Sequence, residues 1–185
     1  MSRRRRQNFF LSIIAGVGVV LIIGVVWWFS QGFRFSTYAD KNGGYSIKYP
    51  SDWALEKQAG ETAVIFLSAQ ESELDIFKEN VSVVVQDISG NPMDLKKYSE
   101  LAVKQMELVF KENLVILESA PAVFAQRQGY KFEFLGKGPE TELHYLIYWA
   151  ISGVTAYQVT YTALSSQFDR YLFKVKRMFG SFRIQ

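Results

Sequence analysis

Residues 142–162, ELHYLIYWAISGVTAYQVTYT, contain two alternating patterns that meet at a short turn. Apolar or aromatic side chains occupy every second position in both halves: Leu143, Tyr145, Ile147, Trp149 and Ile151, then Tyr157, Val159 and Tyr161. Successive side chains of a β-strand point to opposite faces of a sheet, so a period of two predicts strands. The two strands are expected at 142–151 and 155–162, joined by a hairpin turn at Ser152 and Gly153.

The chain before this hairpin contains further strand patterns. Strands are predicted over residues 45–49, 53–56, 63–67, 81–88, 114–117, 124–126 and 130–134, with a turn at 136–139. Residues 81–88 are apolar at both parities at their centre, which predicts an interior strand covered on both faces. Short connections favour antiparallel pairing, so two layers must cover a mostly antiparallel sheet.

Two amphipathic segments can supply those layers. Apolar residues at spacings of three and four predict one helix with the stripe Leu95, Tyr98, Ala102, Met106 and Val109, and another with Phe168, Leu172, Val175 and Phe179. Asp94 or Asn91 can cap the first helix, and Ser165 or Ser166 can cap the second. We therefore predict an α+β domain built as an αβα sandwich with a mostly antiparallel sheet.

The N-terminal region contains an uncharged segment long enough to cross a bilayer. Residues 9–29, FFLSIIAGVGVVLIIGVVWWF, make roughly 32 Å of helix at about 1.5 Å per residue, against about 30 Å of hydrocarbon. A cleaved signal peptide and a buried core helix are the alternatives. The apolar segment is longer than a signal peptide requires, and no small-residue cleavage site follows it, so an uncleaved anchor fits better.

The residues that flank this segment predict its orientation. Four basic residues precede it, Arg3, Arg4, Arg5 and Arg6, and such charges remain in the cytoplasm. Trp27 and Trp28 are expected as interfacial anchors at the opposite end. The predicted parts are a cytoplasmic N-terminus at 1–8, a transmembrane signal-anchor helix at 9–29, a short juncture at 30–37 and an extracytoplasmic domain at 38–185. The lipid bilayer is thus one expected partner, bound through residues 9–29.

The composition excludes several classes of protein. The 185 residues include no Cys, which excludes disulfides and thiolate chemistry, and a single His, which excludes sites that need two imidazoles. The net charge of +3 is due to the N-terminus, because 17 of the 21 basic residues follow residue 30, together with all 18 acidic ones. A nearly neutral domain has no general electrostatic reason to bind nucleic acid.

No catalytic, phosphate-binding or metal-binding motif occurs in the sequence. Glu142 and His144 lie on one strand face and can form a hydrogen-bonded pair, while Tyr148 belongs to a group of strand tyrosines suited to contact a partner. These three are the candidate interaction residues. The acidic residues between 71 and 79 can collect a hard cation, but a solvated loop explains them more simply. We predict no catalytic residue, no cofactor and no metal.

Three stretches of the chain resemble the PsbP-like family. They are GYSIKYPSDW (44–53), NVSVVVQDIS (80–89) followed by a helix that begins DLKKY (94–98), and MFGSFRI (178–184). The order of elements is also similar over about residues 38–184. The resemblance implies the αβα sandwich that this family shares with the Mog-type Ran-binding proteins, and its motifs are packing and turn residues.

The resemblance also implies a binding role. Family members in oxygenic phototrophs are extrinsic lumenal subunits or assembly factors of photosystem II, and many bacterial relatives are exported proteins. We therefore expect a membrane-anchored extracytoplasmic module that binds or stabilises a membrane protein complex, photosystem-related in a phototroph. It is expected in the cell membrane, or in the thylakoid membrane of a phototroph. The alternative is a small-ligand carrier or a hydrolytic enzyme with a pocket between sheet and helix.

Overall fold

The computed structural model describes residues 34–57, 63–70, 77–138 and 141–185. The predicted anchor at 9–29, with the arginines at 3–6 and both tryptophans Trp27 and Trp28, lies outside these residues. Within the described ranges, no helix combines the length and the apolar character that a membrane crossing requires. Residues 36–185 form one compact unit.

Ten strands and two α-helices make up the described residues. The strands are β1 (Phe35–Asp40), β2 (Tyr45–Pro50), β3 (Ala54–Lys57), β4 (Ala63–Leu67), β5 (Asn80–Asp87), β6 (Leu114–Phe124), β7 (Arg127–Lys137), β8 (Glu142–Ser152), β9 (Thr155–Leu164) and β10 (Arg183–Ile184). The helices are α1 (Leu95–Phe110), which a 3-10 turn at Lys111–Asn113 follows, and α2 (Phe168–Ser181).

Seven strands form an antiparallel sheet in the order β3-β4-β5-β9-β8-β7-β6. The hairpin predicted from residues 142–162 is β8 and β9, with Ser152 opposite Thr155. A separate three-stranded sheet has the order β1-β2-β10 and was not predicted. The prediction of a mostly antiparallel α+β fold with two helices is confirmed.

The two helices lie on opposite faces of the seven-stranded sheet. On one face, α1 packs against a buried cluster from β7 and β8 formed by Phe132, Phe134, Ile147 and Trp149. The ring of Tyr148 points the other way and meets Phe179 of α2 edge-on. The small sheet shares this second face, because Phe182, which directly follows α2, stacks on Tyr45 of β2 at 5.3 Å between ring centroids.

Strand β5 is interior, as predicted, but only one of its faces is covered within the described ranges. Val81, Val83 and Val85 are buried on the α2 side, whereas Val84 is 36% exposed on the α1 side. Helix α1 lies mainly over β6 and β7, and it reaches β5 near the strand's end, where the Tyr98 hydroxyl donates to Gln86 Oε1 at 3.2 Å. The prediction that both faces of β5 are covered is therefore wrong for the residues described.

Each helix begins near the predicted cap, with one difference in each. The Asp94 Oδ1 accepts a hydrogen bond from the Lys97 backbone N–H at 2.8 Å, so Asp94 rather than Asn91 caps α1. At α2 the cap position is Gln167, which makes no side-chain capping bond, so neither predicted serine caps that helix. In α1, Phe110 packs on the sheet and the predicted Val109 is 64% exposed.

Two stretches are extended where the sequence suggested otherwise. Residues 114–124 form one eleven-residue strand rather than two short strands around Pro121. Proline is tolerated at the edge of a sheet, where its missing N–H removes no ladder bond. Strand β1 begins at Phe35, so three residues of the predicted juncture at 30–37 lie in regular structure.

Candidate functional site

Strand β6 is an edge of the seven-stranded sheet and exposes an unusual number of apolar side chains. Its sequence is LVILESAPAVF, and Val115, Ile116, Leu117 and Val123 are exposed, the last by 80%. A β-bulge interrupts the pairing with β7 between Ile116 and Glu118. An edge strand presents unpaired backbone N–H and C=O groups, which natural proteins usually protect with charges, proline or a bulge. Here the protection is partial, because apolar side chains stand beside the bulge and Pro121.

A groove of about 440 Å³ lies between α2 and the end of the sheet formed by β6, β7 and β8. We call it the α2-side groove. Its walls combine charged residues with aromatic rings: Lys131, Glu133, Lys176 and Arg183, and Phe124, Tyr148, Phe168 and Phe179. Charged groups and rings around an apolar floor are typical of recognition sites.

A chain of ion pairs crosses three strands at this groove. The Lys131 Nζ lies 2.6 Å from Glu118 Oε2 and 2.7 Å from Glu133 Oε2. The other carboxylate oxygen of Glu133 lies 3.0 Å from Nε2 of His144, whose ring stacks on Phe168. Sequence reasoning missed Glu118, Lys131 and Glu133, although the polar positions of the alternating 130–134 pattern hold two of them. Only the register of three strands brings all of them together.

The three predicted interaction residues have different positions in this arrangement. Tyr148 lines the groove, and His144 lies beside it through its bond to Glu133. Glu142 is exposed at the beginning of β8 and does not line the groove. The predicted Glu142–His144 pair is not formed, because Glu133 on the neighbouring strand occupies the Nε2 side of the imidazole.

The surroundings of Lys131 and Tyr148 in the α2-side groove determine the protonation state of both side chains. Burial by itself lowers the pKa of Lys131, but the hydrogen bonds to Glu118 and Glu133 outweigh it and raise the pKa above its ordinary value. Burial raises the pKa of Tyr148. Lysine and tyrosine are therefore both protonated near neutral pH, so neither is prepared as a base. The described lining residues include no serine, threonine or cysteine.

A second and larger groove, of about 830 Å³, lies on the opposite face between α1 and β6. We call it the α1-side groove. Leu95, Val103, Pro121 and Tyr130 form its apolar part, and alternating lysines and glutamates of α1 form its rim. The rim has no net charge, so this groove favours an apolar side chain over an ionic one.

Both grooves share strand β6. Ser119, Pro121 and Ala122 line the α1-side groove, while Val123 and Phe124 line the α2-side groove. A chain paired with this edge would point alternate side chains into opposite grooves. The edge strand thus combines a backbone-recognition surface with two side-chain sites.

The described residues provide no evident metal site. They contain no group of three or more carboxylate or imidazole side chains close enough to hold a metal ion. Residues 71–76 of the acidic loop lie outside the description. Glu79, which follows them, is buried and accepts a hydrogen bond from Ser68 at 3.4 Å.

The fold and grooves define a small α+β domain with helices on both sides of a mostly antiparallel sheet. The family follows from the sequence: the PsbP family matches residues 33–184, most of the chain. The chain therefore belongs to the PsbP family, as the resemblance of the three stretches suggested. A comparison with curated proteins found no match.

Solved structures share this fold at low sequence identity. Cyanobacterial PsbP (CyanoP) from Synechocystis sp. PCC 6803 is 16% identical, with 82% of this chain and 92% of that chain covered and a TM-score of 0.60. The Saccharomyces cerevisiae Ran-binding protein Mog1p is 11% identical, with 82% and 96% covered and a TM-score of 0.58. LpqN of Mycobacterium tuberculosis, involved in cell envelope biogenesis, is 10% identical, with 82% and 91% covered and a TM-score of 0.61. These similarities show the fold alone.

Proposed function

We propose that this protein is a membrane-anchored extracytoplasmic module that binds a partner protein of a membrane complex through strand β6. The complex is photosystem-related if the source is a phototroph. The observation that carries the proposal is that one exposed apolar edge strand borders both grooves. No enzymatic activity is part of the proposal.

The partner contributes an extended segment that pairs with β6. Backbone hydrogen bonds to the edge supply affinity, and alternate side chains that enter the two grooves supply specificity. The α1-side groove takes an apolar side chain against Tyr130, and the α2-side groove takes a polar or aromatic one beside Tyr148. Because Pro121 has no N–H, the pairing is weakest at the middle of β6.

The protein relatives support a binding role and no particular partner. CyanoP is a cyanobacterial PsbP, and Mog1p is a Ran-binding protein. The membrane location of the proposal rests on the uncharged segment 9–29 and the arginines before it. A small-ligand carrier is the second candidate, because the α2-side groove has a volume typical of small-molecule sites.

Site-specific photo-crosslinking in native membranes tests this function. A photo-reactive residue is placed at Val123, which is 80% exposed on β6, and separately at Val154 in the β8–β9 turn, an exposed valine away from the edge. We expect a heterologous adduct from position 123 that is absent from position 154. Mass spectrometry of the adduct identifies the partner.

Variants that place a charge on the β6 edge test whether this edge is needed for binding. Val115→Lys and Val123→Lys each place a lysine on the edge, which opposes strand pairing, whereas Val154→Lys does not. In these variants the photo-reactive residue is placed instead at Leu117, which is 49% exposed on β6, and we expect both β6 variants to lose its adduct without a change in thermal stability. Equal adducts from positions 123 and 154, or adducts only between copies of this chain, would contradict the proposed function. Binding of a small molecule that the lysine variants leave intact favours the carrier.

A further inference from the structure

The charges of this domain are unevenly distributed along the chain. Residues 165–185 contain five basic residues and one acidic residue, Asp169, whereas residues 30–164 contain twelve basic and seventeen acidic residues. The nearly neutral total therefore conceals a basic C-terminal segment on an otherwise acidic domain. This segment is α2 and the short strand β10.

The geometry of α2 places most of this charge on its solvent side. Phe168, Val175, Met178 and Phe179 are buried against the sheet. Arg170, Lys176 and Arg177 are exposed on the other side. Arg183 is a fourth exposed cation. Its guanidinium donates to the carbonyls of Gly180 and Phe182 at the end of the helix. We call these four residues, with Phe173, the basic face.

Lys174 is not part of this face. Its Nζ lies 3.0 Å from Asp52 Oδ2, and its side chain is largely covered. The fifth basic residue of the segment is therefore held by an acidic group of the domain itself.

An exposed aromatic residue lies at the centre of the basic face. Phe173 is 61% exposed, and the guanidinium of Arg177 lies 6.0 Å from its ring centroid. Arg170 and Lys176 are three residues before and after it, on the same side of the helix. An exposed ring among cations matches the interface of an anionic bilayer, where the ring enters the headgroup region and the cations contact phosphates.

The sequence places a bilayer close to the domain that carries this face. Four residues, 30–33, separate the predicted span at 9–29 from Arg34, and extended chain covers at most about 3.6 Å per residue. A tether of this length gives the domain a high effective concentration at the lipid surface. If the basic face bound an acidic protein instead, neither the exposed ring of Phe173 nor the short tether would be explained.

We propose that the basic face of α2 docks the domain onto anionic lipid of the membrane that anchors it. This inference concerns a different occupant from the partner at β6. Lys176 and Arg183 also line the α2-side groove, so the test removes Arg170 and Arg177, which do not line it. Each basic residue near an anionic surface contributes roughly fivefold to the docked population. Removal of two cations is thus expected to lower the ratio of docked to undocked protein roughly 25-fold.

Fluorescent labels at single cysteines in the full chain test the docking. The sequence contains no cysteine, and a side chain at Gly180, on the solvent side of α2, meets open space. Gly180→Cys therefore reports on the basic face, and Gly90→Cys, equally open in the turn before α1, is the matched control. Each labelled protein is inserted into phosphatidylcholine vesicles with or without phosphatidylglycerol, and quenching by a lipid-borne nitroxide is measured.

For the label at position 180, we expect strong quenching and a blue shift of its emission only in vesicles that contain phosphatidylglycerol. For the label at position 90, we expect neither effect. Adding Arg170→Gln and Arg177→Gln, or raising the salt concentration, should remove the response while anchoring and thermal stability stay unchanged. Equal responses in both vesicle types, or at both positions, would overturn the proposal. So would a response at position 180 to soluble polyglutamate but not to anionic vesicles, which would identify an acidic protein as the partner.

Discussion

Replacement of Ser99 by alanine should destabilise the domain although it removes a single oxygen. Ser99 is 3% exposed in α1. Its Oγ donates to the Leu95 carbonyl at 2.7 Å and accepts the Nε1–H of Trp149 at 2.7 Å. Trp149 is itself 1% exposed, so Ser99→Ala leaves a buried indole N–H without this acceptor.

The expected magnitude follows from two opposing effects. An orphaned buried donor costs about 1–3 kcal/mol, while alanine improves helix propensity over serine by about 0.5 kcal/mol. The net loss in the free energy of unfolding is therefore about 0.5–2.5 kcal/mol. For a domain of this size, that lowers the melting temperature by roughly 1–10 °C.

Urea unfolding of the domain from Ser36 onward, followed by far-ultraviolet circular dichroism, measures this loss. A double-mutant cycle with Trp149→Phe, which removes the donor, isolates the hydrogen bond from other effects. We expect Ser99→Ala to cost at least about 1 kcal/mol less in the Trp149→Phe background. Ser166→Ala at an exposed position is the control, with a change within about 0.5 kcal/mol. If Ser99→Ala costs the same in both backgrounds, the bond does not stabilise the packing of α1 on the sheet.

Three further predictions concern topology, glycine packing and acid stability. A reporter that is active only outside the cytoplasm should be active when it is fused to the C-terminus. Replacing Arg3 to Arg6 with Glu should weaken or invert the orientation of the chain in the membrane. An inactive fusion of the unaltered, well-expressed chain would refute the predicted topology. Gly129→Ala should destabilise the domain by about 1–3 kcal/mol, because a Cβ at this position would lie 2.8 Å from a backbone carbonyl oxygen of β8. The Cβ of Gly180→Ala would meet open space, so this variant should be neutral or more stable by up to about 1 kcal/mol. Thermal melts of both variants measure the difference. The backbone N–H of Gly43 lowers the pKa of Asp40, so this carboxylate stabilises the fold above its unfolded pKa, and the contribution is lost as the pH falls through the lower folded value. Asp40→Asn should therefore reduce the pH dependence of unfolding only in that acidic window, and an unchanged dependence would contradict the assignment.

The sequence alone determined most of the elements because their information is local. The period of two in residues 142–162 identified β8 and β9, and spacings of three and four identified α1 and α2. Such periods arise from backbone geometry and from burial of one face, which act within a single element. The three stretches that resemble the PsbP-like family consist of packing and turn residues, and they correctly identified the fold.

The tertiary structure decided which elements are neighbours and what covers them. The Glu133–His144 contact depends on the register of β7 against β8. The pair that Glu142 and His144 can form by their spacing does not form, because a local pattern carries no register. Phe110 replaced Val109 in the core because the sheet surface selects which side of the helix end is buried. The continuity of β6 through Pro121 depends on its place at an edge, which exists only once seven strands have assembled. The two grooves beside β6 have the same origin, since packing of both helices on one sheet creates them and no single segment encodes either groove.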